Sequence, residues 1–148
     1  MKHRIFYIAM LALAAAAAVM TSGCDTTVTK EEMATADYGP KPLAYQDEIR
    51  SYLSLRLQDP KEAVVEFRND PQMLYQRGTP VRGEQYGWGV CVFINDKNKA
   101  GAYDGFYPMT FVLRNEKIVA ANGGTDDNVI GATYAREQCE RMGAPFKK

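Results

Sequence analysis

Apolar residues recur every three and four positions over residues 43–57. Tyr45, Ile49, Tyr52, Leu53 and Leu57 share one side, and Gln46, Glu48, Arg50 and Arg56 occupy the rest. This spacing predicts an amphipathic helix. Asp59-Pro60 ends it, because a proline ring disfavours helical geometry in the residue before it. Beyond that point the period shortens. Residues 63–67 predict a short strand, Asn69-Asp70-Pro71 a turn, and residues 73–76 another strand. Gly78, Pro80, Gly83, Gly87 and Gly89 mark a turn-rich stretch. Residues 88–94, rich in aromatic and β-branched side chains, carry the strongest strand signal. Residues 106–113 form a second, with Tyr107, Met109, Phe111 and Leu113 on one face, and residues 118–121 follow an Asn115-Glu116 turn. Gly123-Gly124 breaks that strand, and residues 125–127 offer N-cap oxygens to a last helix over 128–142. Val129, Ala132, Ala135, Cys139 and Met142 share one side of it. Helix, strands and helix in this order, with no internal repeat, predict an α+β fold: an N-terminal helix, an antiparallel sheet of three to five strands, and a C-terminal helix packed on the sheet. Both helices on one face is the economical arrangement.

The first residues follow another pattern. Lys2-His3-Arg4 is positive, residues 5–20 carry no charge, and Thr21-Ser22-Gly23-Cys24 supplies small residues ending in a cysteine. Charge, apolar core and small residues, in that order, make a secretory signal. A spanning helix needs about 20 apolar residues, and this alanine-rich run stops short. Thr21-Ser22-Gly23-Cys24 resembles a bacterial lipobox, with Thr21 where leucine is commonest. The resemblance implies removal of residues 1–23 and fatty acylation (palmitate among the chains) of Cys24. The outcome would be a membrane-anchored lipoprotein on the periplasmic side of the cell envelope. Each buried methylene contributes about 0.8 kcal/mol to such an anchor. Cleavage by an ordinary signal peptidase is the plainer alternative. Asp25 stands where, in enteric lipoproteins, an aspartate resembles an inner-membrane retention signal.

Residues 24–42 read as a lipidated flexible tether: Thr26, Thr27, Thr29, Glu31, Glu32 and Asp37 dominate, closed by Gly39, Pro40 and Pro42. Residues 43–148 then form the single small domain.

The 148-residue chain has 18 basic and 18 acidic side chains. Losing Lys2 and Arg4 with the signal leaves 16 against 18, a net charge of −2, which argues against holding nucleic acid by charge. The one histidine, His3, leaves too. Serine–histidine and cysteine–histidine catalysis are thereby excluded, as is the commonest zinc ligand.

With Cys24 acylated, Cys91 and Cys139 remain, and an exported protein passes a compartment where disulfides persist. A bridge between them is expected, with two buried thiols as the alternative; neither lies in a CxxC pair.

Other motifs fail. Residues 78–83 have phosphate-loop spacing, but Glu84-Gln85 replace the lysine and hydroxyl residue. Residues 96–101 start like a calcium loop, but Ala100 cannot ligate, Lys97 and Lys99 oppose a cation, and Tyr107 stands where the closing glutamate belongs. No metal, cofactor or catalytic residue is expected.

The densest polar patch joins the two strongest strands: Asn95, Lys97, Asn98, Lys99, Gly101, Tyr103, Gly105 and Phe106. Cys91, Asn95-x-Lys97-Asn98 and Gly101-x-Tyr103-x-Gly105-Phe106, with Asp59-Pro60 upstream, resemble a pattern of small uncharacterised bacterial envelope proteins. Glu62 stands where that pattern usually has serine. The resemblance spans roughly residues 43–113 and implies a fold, with no activity attached. Asparagine and glycine serve turns, which is the structural reading of the patch. In the functional reading, Asn95, Lys97, Asn98, Lys99 and Tyr103 meet an envelope protein or a cell-wall glycan. The sequence therefore points to a non-catalytic binding or scaffolding lipoprotein. An accessory component of a larger envelope or secretion complex is an alternative. A third is a glycan hydrolase using carboxylates such as Asp104 and Glu116, which would need two acids about 5–10 Å apart.

Overall fold

The computed structural model describes residues 28–78, 82–124 and 129–147. The expected signal, Cys24, Asp25 and the N-cap oxygens at 125–127 lie outside them. In chain order the elements are α1 (Lys30–Thr35), α2 (Tyr45–Ser54), β1 (Val64–Phe67), β2 (Gln72–Gln76), β3 (Gln85–Asn95), β4 (Tyr107–Arg114), β5 (Lys117–Gly123) and α3 (Val129–Arg141). All strand pairings are antiparallel, β3 pairing with β1, β2 and β4, and β4 with β5. The fold is α+β, as the pattern of elements predicts.

Each predicted element forms within a few residues of its expected limits, but three features of their assembly differ from the sequence reading. First, the helices lie on opposite faces. Along β3, Val90, Val92 and Ile94 join Phe111 and Leu113 of β4 against Ile49 and Leu53 of α2. The intervening Cys91 and Phe93 meet Cys139 and Met142 on the other side. Successive strand residues point to opposite faces, so an unbroken apolar run is what a strand covered twice requires. That continuity in residues 90–94, rather than an alternation, is the sequence sign of a three-layer arrangement.

Second, Asn69-Asp70-Pro71 does not reverse the chain. Phe67 pairs with Val92 and Gln72 with Gly89, so β1 and β2 follow each other along the same edge of β3, with extra residues bulged between them. Asn69 fills the gap in the ladder. Its Oδ1 accepts from the Cys91 amide at 2.7 Å and its Nδ2 donates to the Gly89 carbonyl at 3.2 Å, replacing the backbone pair the bulge removes.

Third, part of the expected tether packs on the domain. Thr29 and Glu32 form a capping box that opens α1, Tyr38 is buried against Tyr86, and Pro42 is buried. Composition reads these residues as spacer because their apolar content is low. Their order comes from contacts made far along the chain.

Between β4 and β5, Asn115 and Glu116 both take positive φ, 52° and 62°, as a two-residue hairpin turn demands. Glu116 thereby reaches the start of α2. Its carboxylate accepts from the Leu43 and Ala44 amides at 3.0 and 3.3 Å, where the N-cap residue Ala44 has no side-chain oxygen of its own.

Candidate functional site

The polar patch is the connection between β3 and β4. Lys97 and Tyr103 face each other across an isolated bridge, and Asn98 organises the turn they enclose. Its Oδ1 accepts from the Ala100 and Ala102 amides at 2.9 and 3.1 Å, and its Nδ2 donates to Asp104 at 2.9 Å. Gly101 and Gly105 take φ of +82° and +97°, which explains glycine at those two places. At the loop's base the Tyr107 hydroxyl donates to Asp96 at 2.9 Å; burial first, and then this bond, push that hydroxyl's pKa up.

Lys97 ties the loop to the segment before β1. Its ammonium lies 3.4 Å from an Asp59 oxygen and 3.8 Å from one of Glu62, and 5.8 Å from the centre of the Tyr103 ring. The Tyr103 hydroxyl donates to the Glu62 carbonyl at 3.0 Å. Partial burial opposes the charge on Lys97, but the bond to Asp59 and the nearby carboxylates of Glu62 and Asp59 outweigh it and raise its pKa. Thus the two halves of the resemblance, Asp59-Pro60 and the Asn-x-Lys-Asn loop, meet in space. Asp59 and Glu62 are the members of the site that sequence spacing does not reveal, since 38 positions separate Asp59 from Lys97.

The five residues of the patch divide accordingly. Asn98 is spent inside the turn and Lys97 is held by two carboxylates. Asn95 ends β3 opposite Val64, its Oδ1 buried without a hydrogen-bond partner. Lys99 is exposed, and Tyr103, 45% exposed, presents its ring while its hydroxyl is engaged. Residues 99–105 form an uninterrupted exposed rim. An exposed ammonium can meet a carboxylate, and an exposed aromatic ring the apolar face of a sugar.

Both acids of the hydrolase alternative are engaged elsewhere, Asp104 with Asn98 and Glu116 with the start of α2. Among the described residues, no cluster of three metal-ligating side chains occurs and no helix is long and apolar enough to cross a membrane. A hollow of about 320 Å³ lies along α3, lined by Ile130, Thr133, Tyr134 and Glu137. There the Arg82 guanidinium stacks 3.6 Å from the centre of the Tyr134 ring.

On the α3 face of the sheet, Thr110 and Gln138 are buried and hydrogen-bonded to each other, and Gln138 donates to Gln76 at 2.8 Å. Its carboxamide joins α3 to β2 and β4. Beside it, the Cys91–Cys139 disulfide joins α3 to β3, with both cysteines fully buried.

No protein-family model matches the chain, and neither curated proteins nor solved structures returned a match.

Proposed function

We propose that this chain is a lipid-anchored lipoprotein of the periplasmic side of the cell envelope, with a non-catalytic binding or scaffolding role. The observation that carries the reading is the Cys91–Cys139 disulfide. It suits an oxidising compartment and leaves Cys24, at the end of the lipobox-like Thr21-Ser22-Gly23-Cys24, as the one cysteine outside the bridge. Inner-membrane residence follows from Asp25 in this reading.

The surface that meets the partner, an envelope protein or a cell-wall glycan, is the rim of residues 99–105, with Lys99 and the Tyr103 ring as its contacts. Lys97 and Asn98 hold the rim in shape. A role as accessory subunit of a larger envelope or secretion complex uses the same surface. The engagement of Asp104 and Glu116 in structural hydrogen bonds supports binding over glycan hydrolysis.

One experiment in cells tests both parts. Labelling with tagged palmitate should mark the wild type, and Cys24→Ser should abolish the label and release or leave unprocessed the protein; an unlabelled wild type refutes the anchor. Crosslinking of the same cells should lose its partner band in Lys99→Ala/Tyr103→Ala with no change in palmitate labelling. An unchanged band refutes the rim.

A further inference from the structure

If Cys24 carries the lipid, the distance from bilayer to domain is set by where the chain first becomes fastened to the fold. Composition places that point near residue 43, a span of 19 residues that reaches about 65 Å when extended. The structure fastens the chain much earlier. At Thr29 the capping box closes, with the Thr29 amide donating to Glu32 at 2.8 Å and the Glu32 amide to Thr29 at 3.1 Å. The Glu32 carboxylate then takes both Nε and Nη2 of Arg77, at 3.1 and 2.6 Å, which joins α1 to the end of β2. Tyr38 is buried edge-on to Tyr86, with ring centres 6.4 Å apart. The Trp88 indole donates to the Gly39 carbonyl at 3.1 Å. Gly39 has φ +65°, and a Cβ there would fall 2.5 Å from the Asn115 side chain, so only glycine lets the strap lie against the hairpin turn. Glu116 holds the Leu43 and Ala44 amides at its far end.

Resting on the lipid-anchor reading, we infer that this strap seats the domain directly on the lipid headgroups. Only five residue steps separate Cys24 from Thr29, so the leash extends to at most about 18 Å, well short of the reach that composition alone suggests. The surface around the start of α1, where Lys30 and Met33 are exposed, is the one that faces the bilayer. Lys30 stands beside the exposed Glu31, so the seat rests on the length of the leash and not on charge. A partner of this protein must then come to the membrane surface, since the domain cannot reach across the compartment to it.

Neutron reflectometry of the full lipidated protein on a supported bilayer of phosphatidylethanolamine and phosphatidylglycerol measures the gap. The wild-type protein layer should begin within about 18 Å of the headgroups. A Gly-Ser insert of about ten residues between Val28 and Thr29 lengthens the leash from five steps to fifteen without changing a fastening residue, and should move the layer outward by about 9 Å. Glu32→Ala/Arg77→Ala/Tyr38→Ala, checked for folding by circular dichroism, should move it by about the same distance, because the chain is then first held at Gly39, by the Trp88 indole. A wild-type protein that stays on the bilayer across a water layer of several tens of ångströms overturns the short leash while leaving the anchor standing. A wild type that washes off the bilayer overturns the anchor, and the leash with it.

Discussion

Asn69 does the work of a missing pair of backbone groups. Its carboxamide satisfies the Cys91 amide and the Gly89 carbonyl of β3 opposite the bulge, and its Nδ2 also donates to the Asp70 carbonyl at 2.7 Å. A buried donor left without a partner costs about 1–3 kcal/mol. Asn69→Ala should therefore lower the unfolding free energy by that amount, read from the midpoint of urea denaturation. Asn69→Asp should not restore it, because a carboxylate keeps the acceptor but faces two carbonyls without a hydrogen to offer. Full stability in Asn69→Asp would show that only the bond from Cys91 matters. Glu116 is a comparable case. A non-glycine residue with positive φ costs about 1–2 kcal/mol, and the hydrogen bonds of its carboxylate at the start of α2 offset that cost.

Among the elements, α1 has the least to hold it: six residues with none buried. Isolated helices this short do not persist in water, so its order depends on Thr29 and Arg77. The Arg77 side chain first, and the Thr29 amide after it, bring the Glu32 carboxyl from its ordinary pKa of 4.5 down to about 2. Because the folded value is the lower one, the strap's contribution is complete above pH 4.5 and is lost as pH falls toward 2. The pair is about one-third exposed, so the effect stays local. An NMR titration of the Glu32 carboxyl carbon should give a midpoint near 2 in the wild type and one shifted toward 4.5 in Arg77→Ala. A wild-type midpoint at 4.5 would mean that the two residues do not meet in solution.

For the whole molecule, the decisive link crosses the sheet's second face. Ile49 and Leu53 of α2 seal one side of β3, and Cys139 and Met142 seal the other. Gly89 permits that second contact: a Cβ there would lie 2.7 Å from the Met142 sulfur and 3.0 Å from Leu74. The Cys91–Cys139 bridge closes a separation of 48 residues. By the chain-entropy model it contributes roughly 4 kcal/mol, a large share of the about 5–15 kcal/mol typical of a domain. Both cysteines are fully buried, so a thiol reductant should leave the bridge intact in native buffer and cut it once denaturant opens the fold. Cys91→Ala/Cys139→Ala should unfold at markedly lower urea concentration, and an unchanged midpoint would refute the bridge's contribution.

What the sequence determined by itself is what depends on near neighbours. The 3–4 spacing of Tyr45, Ile49, Tyr52, Leu53 and Leu57, the β-rich run ending at Ile94 and the Asn115-Glu116 turn each express a periodicity or a backbone preference within a dozen residues. The α+β class follows from their order, and cysteine parity after Cys24 pointed to Cys91 and Cys139. That cysteine pair aside, tertiary structure decided what needed two distant segments at once. It put α2 and α3 on opposite faces, because a strand apolar on both sides leaves either face open to a helix. It ran β1 and β2 along one edge, because the Asn69 side chain can stand in for backbone. It set Lys97 between Asp59 and Glu62 and laid residues 29–44 against Arg77, Trp88 and Glu116. Apart from the unbroken apolar run of residues 90–94, none of these pairings leaves a local trace, since a hydrogen bond or an ion pair constrains distance in space and not separation along the chain.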